Sequence, residues 1–367
     1  VIKTIGRKIF NMYKRCLVFC ALRTPIKERV IVEAFLGKRD DDNISCYLAE
    51  IDETETPIYY VQTYNNRKLI PKGTRLIKKS LRYIWFMHTS SLIITNSRLH
   101  SDLVLKREGQ KVLQFWHGIP WKKLAYDQPD IQFAAEDKAQ YLARFKQDVA
   151  KWDYLWTPNK YAEQKFRSAF QYKGRCITAM YPADVDLLRL EHKKDYVTGI
   201  KEALGIPRDK KVILYMPTFR EYLSDRSGKY QYYSNIDVEQ FARNNASCII
   251  LARLHYLVDK AWQTKVNNLI DVSHYSSIND LYLISDVLVT DYSSAIYSFS
   301  LLQKPIISLQ FDLAEYESVR GLYEDATTGM DIIAVNDVAA FNRINLQHDL
   351  QMSKAKDDYY DMSFEAN

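Results

Sequence analysis

The chain has 367 residues, only 11 of them glycine, and a formal net charge of +6 at pH 7. Its closest glycines, Gly199 and Gly205, stand six positions apart, whereas a Walker A loop needs glycines five apart and G-x-G-x-x-G or G-x-S-x-G needs them two apart. P-loop NTPases, the standard dinucleotide fingerprint, the protein-kinase glycine loop and the usual α/β-hydrolase elbow are thereby excluded, and any phosphate bound here is held without a glycine cradle.

This length favours two domains, and 47% apolar with 26% charged residues suits a soluble globular chain. The cysteines at 16, 20, 46, 176 and 248 form no C-x-x-C and no zinc spacing. They read as small buried hydrophobes in a reducing compartment. The apolar run Cys16–Leu22 is too short to span a bilayer, and no signal-peptide pattern is apparent. A start at Val1 and a stop at Asn367 read as trimming at both ends.

Residues 1–30 carry eight basic side chains against one acid, Glu28, so the remainder is close to neutral. Ile2, Ile5, Ile9, Met12, Cys16 and Phe19 fall at helical spacing, with Lys3, Arg7, Lys14 and Arg15 off that stripe. This is a basic amphipathic helix, either packed on the body or lying in an anionic membrane interface. A second basic stretch, Arg67–Arg82, contains no acid and ends in Tyr83-Ile84-Trp85-Phe86-Met87, which adds weight to the membrane surface. Nucleic acid is excluded as a partner by the neutral body and the lack of any nucleic-acid motif.

Beyond residue 28, short β-rich runs alternate with helical patterns. Strands are expected at 30–35, 58–62, 91–95, 111–115, 154–157 and 176–180, then at 211–216, 248–252, 269–272, 287–290 and 306–309. Helices are expected at 135–151, 160–170, 236–244, 278–284 and 295–302. Such alternation means parallel sheets with right-handed crossovers. The charged stretch 184–210, with Pro207, is the expected break between two α/β halves facing a ligand cleft.

Four clusters sit where strands end. After the fourth run, Trp116-His117-Gly118-Ile119-Pro120-Trp121-Lys122-Lys123 presents a histidine between an aromatic and a glycine. It is placed either as a general base or as a packed loop histidine. Pro217-Thr218-Phe219-Arg220 offers a hydroxyl and a guanidinium, for a phosphate or for a nearby acid such as Glu221. Arg253 and His255 emerge two apart on one face, as ligand contacts or as a capping pair. Thr290-Asp291-Tyr292-Ser293-Ser294 breaks a strand into a helix start, where backbone N–H groups attract anions and serine hydroxyls add donors; plain N-capping is the alternative. Asp291 is unfavourable beside an anion and is expected to orient its neighbours or bind a hydroxyl. Farther on, Arg320 in Arg320-Gly321-Leu322-Tyr323-Glu324-Asp325 is another phosphate candidate. Gly118 and Gly321 are the glycines expected not to tolerate a side chain.

Together these stretches resemble the CDP-glycerol glycerophosphotransferases of teichoic-acid and related capsule synthesis, over roughly residues 28–330. Trp116–Lys123 matches the family pattern W-H-G-[TI]-P-x-K-[KR], Pro217–Arg220 matches P-T-[WF]-R, and Arg253–His255 matches R-x-H. Asp280–Ser294 matches D-[LI]-Y-L-x-S-D-x-L-[IV]-T-D-Y-S-S almost in full, and Arg320–Asp325 matches R-G-x-Y-x-D. Asn96-Ser97-Arg98 and Trp152-Asp153-Tyr154 also fit. One departure is Met180-Tyr181-Pro182-Ala183-Asp184-Val185, where members often have G-Y-P-R-N-D. The missing arginine puts its contact, and with it polyol or acceptor preference, in question.

The resemblance implies a GT-B-type α/β fold of two Rossmann-like domains with parallel sheets facing a central cleft. The expected divisions are a membrane-surface segment 1–27, an acceptor-side domain 28–185, a CDP-donor domain 186–350 and a tail 351–367. It implies transfer of glycerol phosphate from CDP-glycerol to a lipid-linked saccharide or growing polymer at the cytoplasmic membrane face, with release of CMP. His117 is then the base, and His255 with Arg253 stabilises the leaving CMP. Thr218, Arg220, Thr290, Asp291, Ser293, Ser294 and Arg320 bind the donor. Asn96, Arg98, Gly118, Lys122 and Lys123 line the acceptor side. No cofactor and no metal site are expected, and a homo-oligomer is compatible with the sequence. A CDP-ribitol enzyme and a non-catalytic membrane-binding module are the alternatives. The lack of a large extra N-terminal domain leans toward a primase or short-extension enzyme.

Overall fold

The computed structural model describes residues 2–66, 68–99, 106–129, 137–218, 220–224, 230–231, 236–254, 266–344 and 346; for 2–11, 221–224, 230–231 and 342 it describes the backbone only. The chain divides into two compact units, residues 1–117 with 141–183, and residues 118–140 with 184–367. The chain first passes from one to the other between His117 and Gly118, inside the W-H-G-I-P motif. The sequence gives no sign of that crossing.

The first unit is built on a seven-stranded parallel sheet. Its strands are β1 (Lys27–Glu33), β2 (Ile58–Gln62), β3 (Thr74–Ile77), β4 (Ser90–Thr95), β5 (Lys111–Gln114), β6 (Tyr154–Thr157) and β7 (Arg175–Thr178), in spatial order β3-β2-β1-β4-β5-β6-β7. β1 is buried from Arg29 to Glu33, as a central parallel strand covered on both faces must be. The order reverses between β1 and β4, the topological switch point at which open α/β sheets form their crevice. Glu33, Thr95 and Gln114 pair in one row, so the loops after β1, β4 and β5 leave the sheet side by side.

The helices of this unit are α1 (Ile2–Arg23), α2 (Asp42–Ala49), α3 (Leu81–Thr89), α4 (Lys138–Val149, which starts in the other unit) and α5 (Lys160–Phe170). α1 packs on α3. Its apolar stripe does not turn inward where side chains are described: Met12 is 59% exposed, Phe19 56%, and Cys16 is exposed as well. Ile2, Ile5, Ile9, Lys3 and Arg7 lie outside the described side chains. Much of the second basic stretch is structural. Lys72 donates to the Ala49 and Ile51 carbonyls at the end of α2, Arg75 donates to the Asn66 carbonyl, and Lys78 is buried in an ion pair with Glu33. Its aromatic end is α3, with Tyr83, Ile84 and Met87 buried.

The second unit carries a six-stranded parallel sheet. It comprises β8 (Val212–Met216), β11 (Ile249–Ala252), β12 (Leu269–Asp271), β13 (Val287–Thr290), β14 (Ile306–Leu309) and β15 (Ile332–Val335), in order β12-β11-β8-β13-β14-β15. An antiparallel pair, β9 (Arg220–Ser224) and β10 (Tyr230–Gln231), follows β8. The helices are α6 (Pro182–Glu191), α7 (Lys194–Ala203), α8 (Val238–Asn244), α9 (Ile278–Ile284), α10 (Ala295–Ser300), α11 (Leu313–Val319) and α12 (Val338–Arg343). Here the switch point lies between β8 and β13, and Met216, Thr290 and Ser308 form one row.

The expected strands all form, within one to three residues at their ends. β3, β9, β10 and β15 were not expected; each is short or at an edge, where apolar runs are weakest. Of the cysteines only Cys248 is buried, while Cys16 and Cys20 lie exposed on α1. That corrects the reading of all five as buried hydrophobes.

Candidate active site

In the first unit the chemistry gathers at the switch point. After β5 the backbone turns through Trp116, whose φ of 55° is left-handed. Trp116 is buried against Phe170, Phe145, Trp152 and Phe166. Its N–H donates to Gln114 Oε1 at 2.9 Å. The packed indole fixes the turn, and the next residue, His117, is turned out of the core and exposed. The imidazole stacks on the Trp116 ring at 4.4 Å and lies 5.9 Å from Phe35.

His117 Nδ1 lies 2.8 Å from the Asn96 carbonyl oxygen. A carbonyl only accepts, so Nδ1 carries the proton and the lone pair of the neutral ring is on Nε2. The supports of that carbonyl are buried. Asn96 is 0% exposed. Its Oδ1 accepts from Phe35 N at 2.8 Å and its Nδ2 donates to Asp41 Oδ2 at 2.7 Å. Ser97 Oγ accepts from Leu36 N at 3.2 Å. Phe35, Leu36 and Gly37 all have positive φ, so the turn after β1 is strained and held by these bonds. Asp41 also caps α2 by accepting from Ile44 N at 2.9 Å. Burial raises its carboxyl to about 6, with the bonds from Ile44 and Asn96 pulling the other way.

Both ends of the Asn96 amide are engaged inside the unit, so the side chain supports the carbonyl that His117 meets. Arg98 is half-buried, its guanidinium 4.9 Å from the Tyr141 ring centre. Asp148 accepts from Leu99 N at 3.1 Å, and burial raises it to about 6 against the pull of Lys151 and Arg98.

In the second unit the switch point is a polar knot. Thr218 donates from N and from Oγ1 to Asp291, at 3.0 and 2.8 Å. Arg220 Nη1 donates to Asp291 at 2.7 Å, and Nε and Nη2 donate to Asp312 at 2.6 and 3.0 Å. Tyr292 OH adds a bond to Asp312 at 3.1 Å. Arg220 is 3% exposed, its guanidinium 5.3 and 5.1 Å from the ring centres of Tyr292 and Tyr316, which stack on each other at 4.1 Å. Burial works against its charge, and Asp291 and Asp312 more than offset that, so its pKa is raised above the ordinary value. Thr290, also buried, donates from Oγ1 to the Met216 carbonyl at 2.6 Å.

Thr218, Arg220, Thr290 and Asp291 thus frame the turn, each with a polar group bonded within the unit. The orienting role expected of Asp291 is what the geometry gives it. Much of the rest of the Asp280–Ser294 motif is likewise structural. Asp280 accepts from Tyr196 and Tyr275, and Asp286 accepts from Val212 N at the start of β8.

What the knot presents is Ser293 and Ser294, both half-buried. Ser293 Oγ accepts from Ala295 N at 3.2 Å. Gly118, at φ 125°, approaches this turn so closely that a Cβ there would fall 2.6 Å from Ser294 Oγ. The strap after Gly118 is bound into the unit. Lys123 N donates to the Gly321 carbonyl at 2.9 Å, Tyr323 N to the Trp121 carbonyl at 2.9 Å, and Tyr323 OH to Asp127 at 2.6 Å. The W-H-G-I-P-x-K-K and R-G-x-Y-x-D motifs thus meet through Lys122 and Leu322.

Lys122 lies 5.7 Å from the Tyr316 ring, and Arg320, half-buried, ends α11. Gly321, at φ 74°, would set a Cβ 2.8 Å from Lys123 Cδ. Gly73 is tighter than either expected glycine, with a Cβ 2.4 Å from the Ile58 carbonyl oxygen at φ 89°. Arg253 Nη1 donates to the Tyr275 carbonyl at 2.8 Å. His255 lies outside the described residues. Sequence reasoning missed Asp41, whose only signal is a cap before a helix, and the role of Asp312.

Residues 16–362 match the model of the CDP-Glycerol:Poly(glycerophosphate) glycerophosphotransferase family. A teichoic acid poly(glycerol phosphate) polymerase of Bacillus spizizenii is 35% identical over 82% of this chain and 79% of its own length. A teichoic acid glycerol-phosphate transferase of Staphylococcus aureus is 34% identical over 88% of this chain and 83% of its own. The solved wall teichoic acid polymerase TagF superposes with a TM-score of 0.82 at 27% identity, over 93% of this chain and 85% of that one. A histidine-to-asparagine variant of TagF, solved after a soak with CDPG, is equally similar: TM-score 0.82, 26% identity, 93% and 85% covered.

Proposed function

The chain belongs to the CDP-glycerol:poly(glycerophosphate) glycerophosphotransferase family, and we propose that it moves glycerol phosphate from CDP-glycerol to a hydroxyl of a lipid-linked saccharide or growing polymer, releasing CMP. The observation that carries this reading is the exposed His117 ring with Nδ1–H fixed on the Asn96 carbonyl, a base with its lone pair assigned to Nε2.

In this mechanism Nε2 takes the proton of the acceptor hydroxyl. The oxygen attacks the β-phosphorus, which bears glycerol. The bond from that phosphorus to the bridging oxygen breaks, and CMP leaves with the oxygen. Ser293, Ser294, Arg253 and Arg320 hold the phosphates, and His255 supports the charge on CMP. Lys122, Lys123 and Arg98 supply positive charge toward the acceptor. No resident cofactor or metal is part of this scheme. Most of the acceleration comes from positioning and fixed charge, as in phosphoryl transfer generally.

The site of action in this reading is the cytoplasmic membrane face. No described helix is long and apolar enough to cross a membrane. The exposed apolar stripe of α1, beside the basic residues of the same helix, supports attachment at the surface.

Purified protein given CDP-glycerol and a lipid-linked acceptor should release CMP, and His117→Ala should lower the rate by roughly 10²–10⁴-fold. His255→Ala should likewise reduce it severely while folding normally. Activity on a UDP-sugar with none on CDP-glycerol would overturn the reading. Running CDP-ribitol in parallel settles the donor.

A further inference from the structure

We propose that Asp41 is a positioning residue for the base, holding Asn96 so that its carbonyl fixes the tautomer and direction of His117; this rests on the reading of His117 as the base. The connection runs through three bonds: Asp41 Oδ2 accepts from Asn96 Nδ2 at 2.7 Å, Asn96 Oδ1 accepts from Phe35 N at 2.8 Å, and the Asn96 carbonyl accepts from His117 Nδ1 at 2.8 Å.

The amide orientation is determined, because a backbone N–H faces one end and a carboxylate the other. Asn96 is therefore clamped between two loops, the turn after β1 and the cap of α2. Nothing about capping α2 requires this second bond: Asp41 Oδ1 alone accepts from Ile44 N. The other oxygen is aimed at the residue that sets the histidine. Asp41 is 55 positions from Asn96 in sequence and touches neither ring nitrogen of His117 in any bond described, so its effect acts through the amide.

The chemistry of the pair dictates the test. Asp41→Asn either sets its own NH₂ against that of Asn96, which then loses its anchor, or turns its NH₂ toward Ile44 N and gives up the cap instead. Asp41→Ser keeps a good N-cap but cannot reach Asn96. The exchange Asp41→Asn with Asn96→Asp restores every bond: the new amide accepts from Ile44 N and donates to the new carboxylate, which accepts from Phe35 N.

In the whole protein, Asp41→Ser should lower kcat for CMP release by on the order of 10²-fold, the scale of misplacing a catalytic group by about 1 Å, and Asp41→Asn should lose either rate or the cap of α2. KM for CDP-glycerol should stay within about twofold on this reading of the pair as positioning rather than binding. The exchange should recover most of the lost rate. Nitrogen NMR of the histidine side chains should show His117 protonated on Nδ1 in the parent and exchange, and mixed between the two nitrogens in Asp41→Ser. A folded Asp41→Ser protein with parental kcat would overturn the inference, as would a folded exchange variant no faster than Asp41→Ser. His117→Ala serves as reference. If it is inactive while Asp41→Ser is not, only the positioning role falls; if it is fully active, the base assignment falls.

Discussion

Arg220 joins three chain segments: the end of β8, the Asp291 turn and Asp312 at the start of α11. A guanidinium can bind one carboxylate through Nε and Nη2 while Nη1 serves another; an ammonium cannot. Arg220→Lys should therefore destabilise the second unit by roughly 3–5 kcal/mol, the cost of breaking a buried ion pair. Well below the lowered melting temperature, KM for CDP-glycerol should stay near the parental value. A stable variant with a large rise in KM would return Arg220 to direct phosphate contact. The residue type was legible in sequence as suited to an anion. Which anion was not, because Asp312 is 92 positions away and only the fold brings it there. The Asp41–Asn96 pair was hidden for the same reason. His117 was legible because its signal is local: a strand end, an aromatic before and a glycine after.

α1 is legible as an element and informative in how it is held. Its C-terminal end is fixed by Arg107, whose Nη1 donates to the Ala21 and Thr24 carbonyls at 2.8 Å and to the His88 carbonyl at the end of α3 at 2.9 Å. Ala21 is buried there, while the described stripe upstream of it faces away from the body. A helix pinned at one end with an exposed apolar and basic surface suits the membrane attachment proposed above. Replacing Met12 and Phe19 together by glutamate should leave the melting temperature nearly unchanged, since both are exposed. Binding to vesicles containing phosphatidylglycerol should fall by at least roughly tenfold, since partly inserting two such side chains is worth a few kcal/mol. Parental binding should itself weaken as salt rises. Sedimentation with vesicles at low and high salt reads both. Undiminished binding by the double variant would mean that this face of α1 is not the contact.

At the scale of the whole molecule, two parallel sheets were legible because their central strands are continuous apolar runs bounded by polar loops, and such runs need no partner to be recognised. Short edge strands such as β3 and β15 were not, and neither was the membership of residues 118–140 in the second unit, which depends on bonds made some 200 residues away, such as Lys123 to Gly321. The lack of a large extra N-terminal domain was read as a lean toward a primase or short-extension enzyme. Product length depends instead on whether the extended product can serve again as acceptor. In the proposed reaction, each transfer onto a glycerol phosphate end leaves a terminal glycerol hydroxyl of the same kind that was consumed and adds one phosphodiester charge. Lys68, Lys79 and Arg82, in the stretch from residue 56 to 101 that contains no acid, are exposed, and the added phosphodiester charge does not by itself disfavour the product as acceptor. With a lipid-linked acceptor bearing one glycerol phosphate and excess CDP-glycerol, products should therefore extend to many units, with the longer ones lost first as salt is raised. Gel or mass analysis of the lipid products against time reads this directly, and a product that stops at one added unit under excess donor would restore the primase reading.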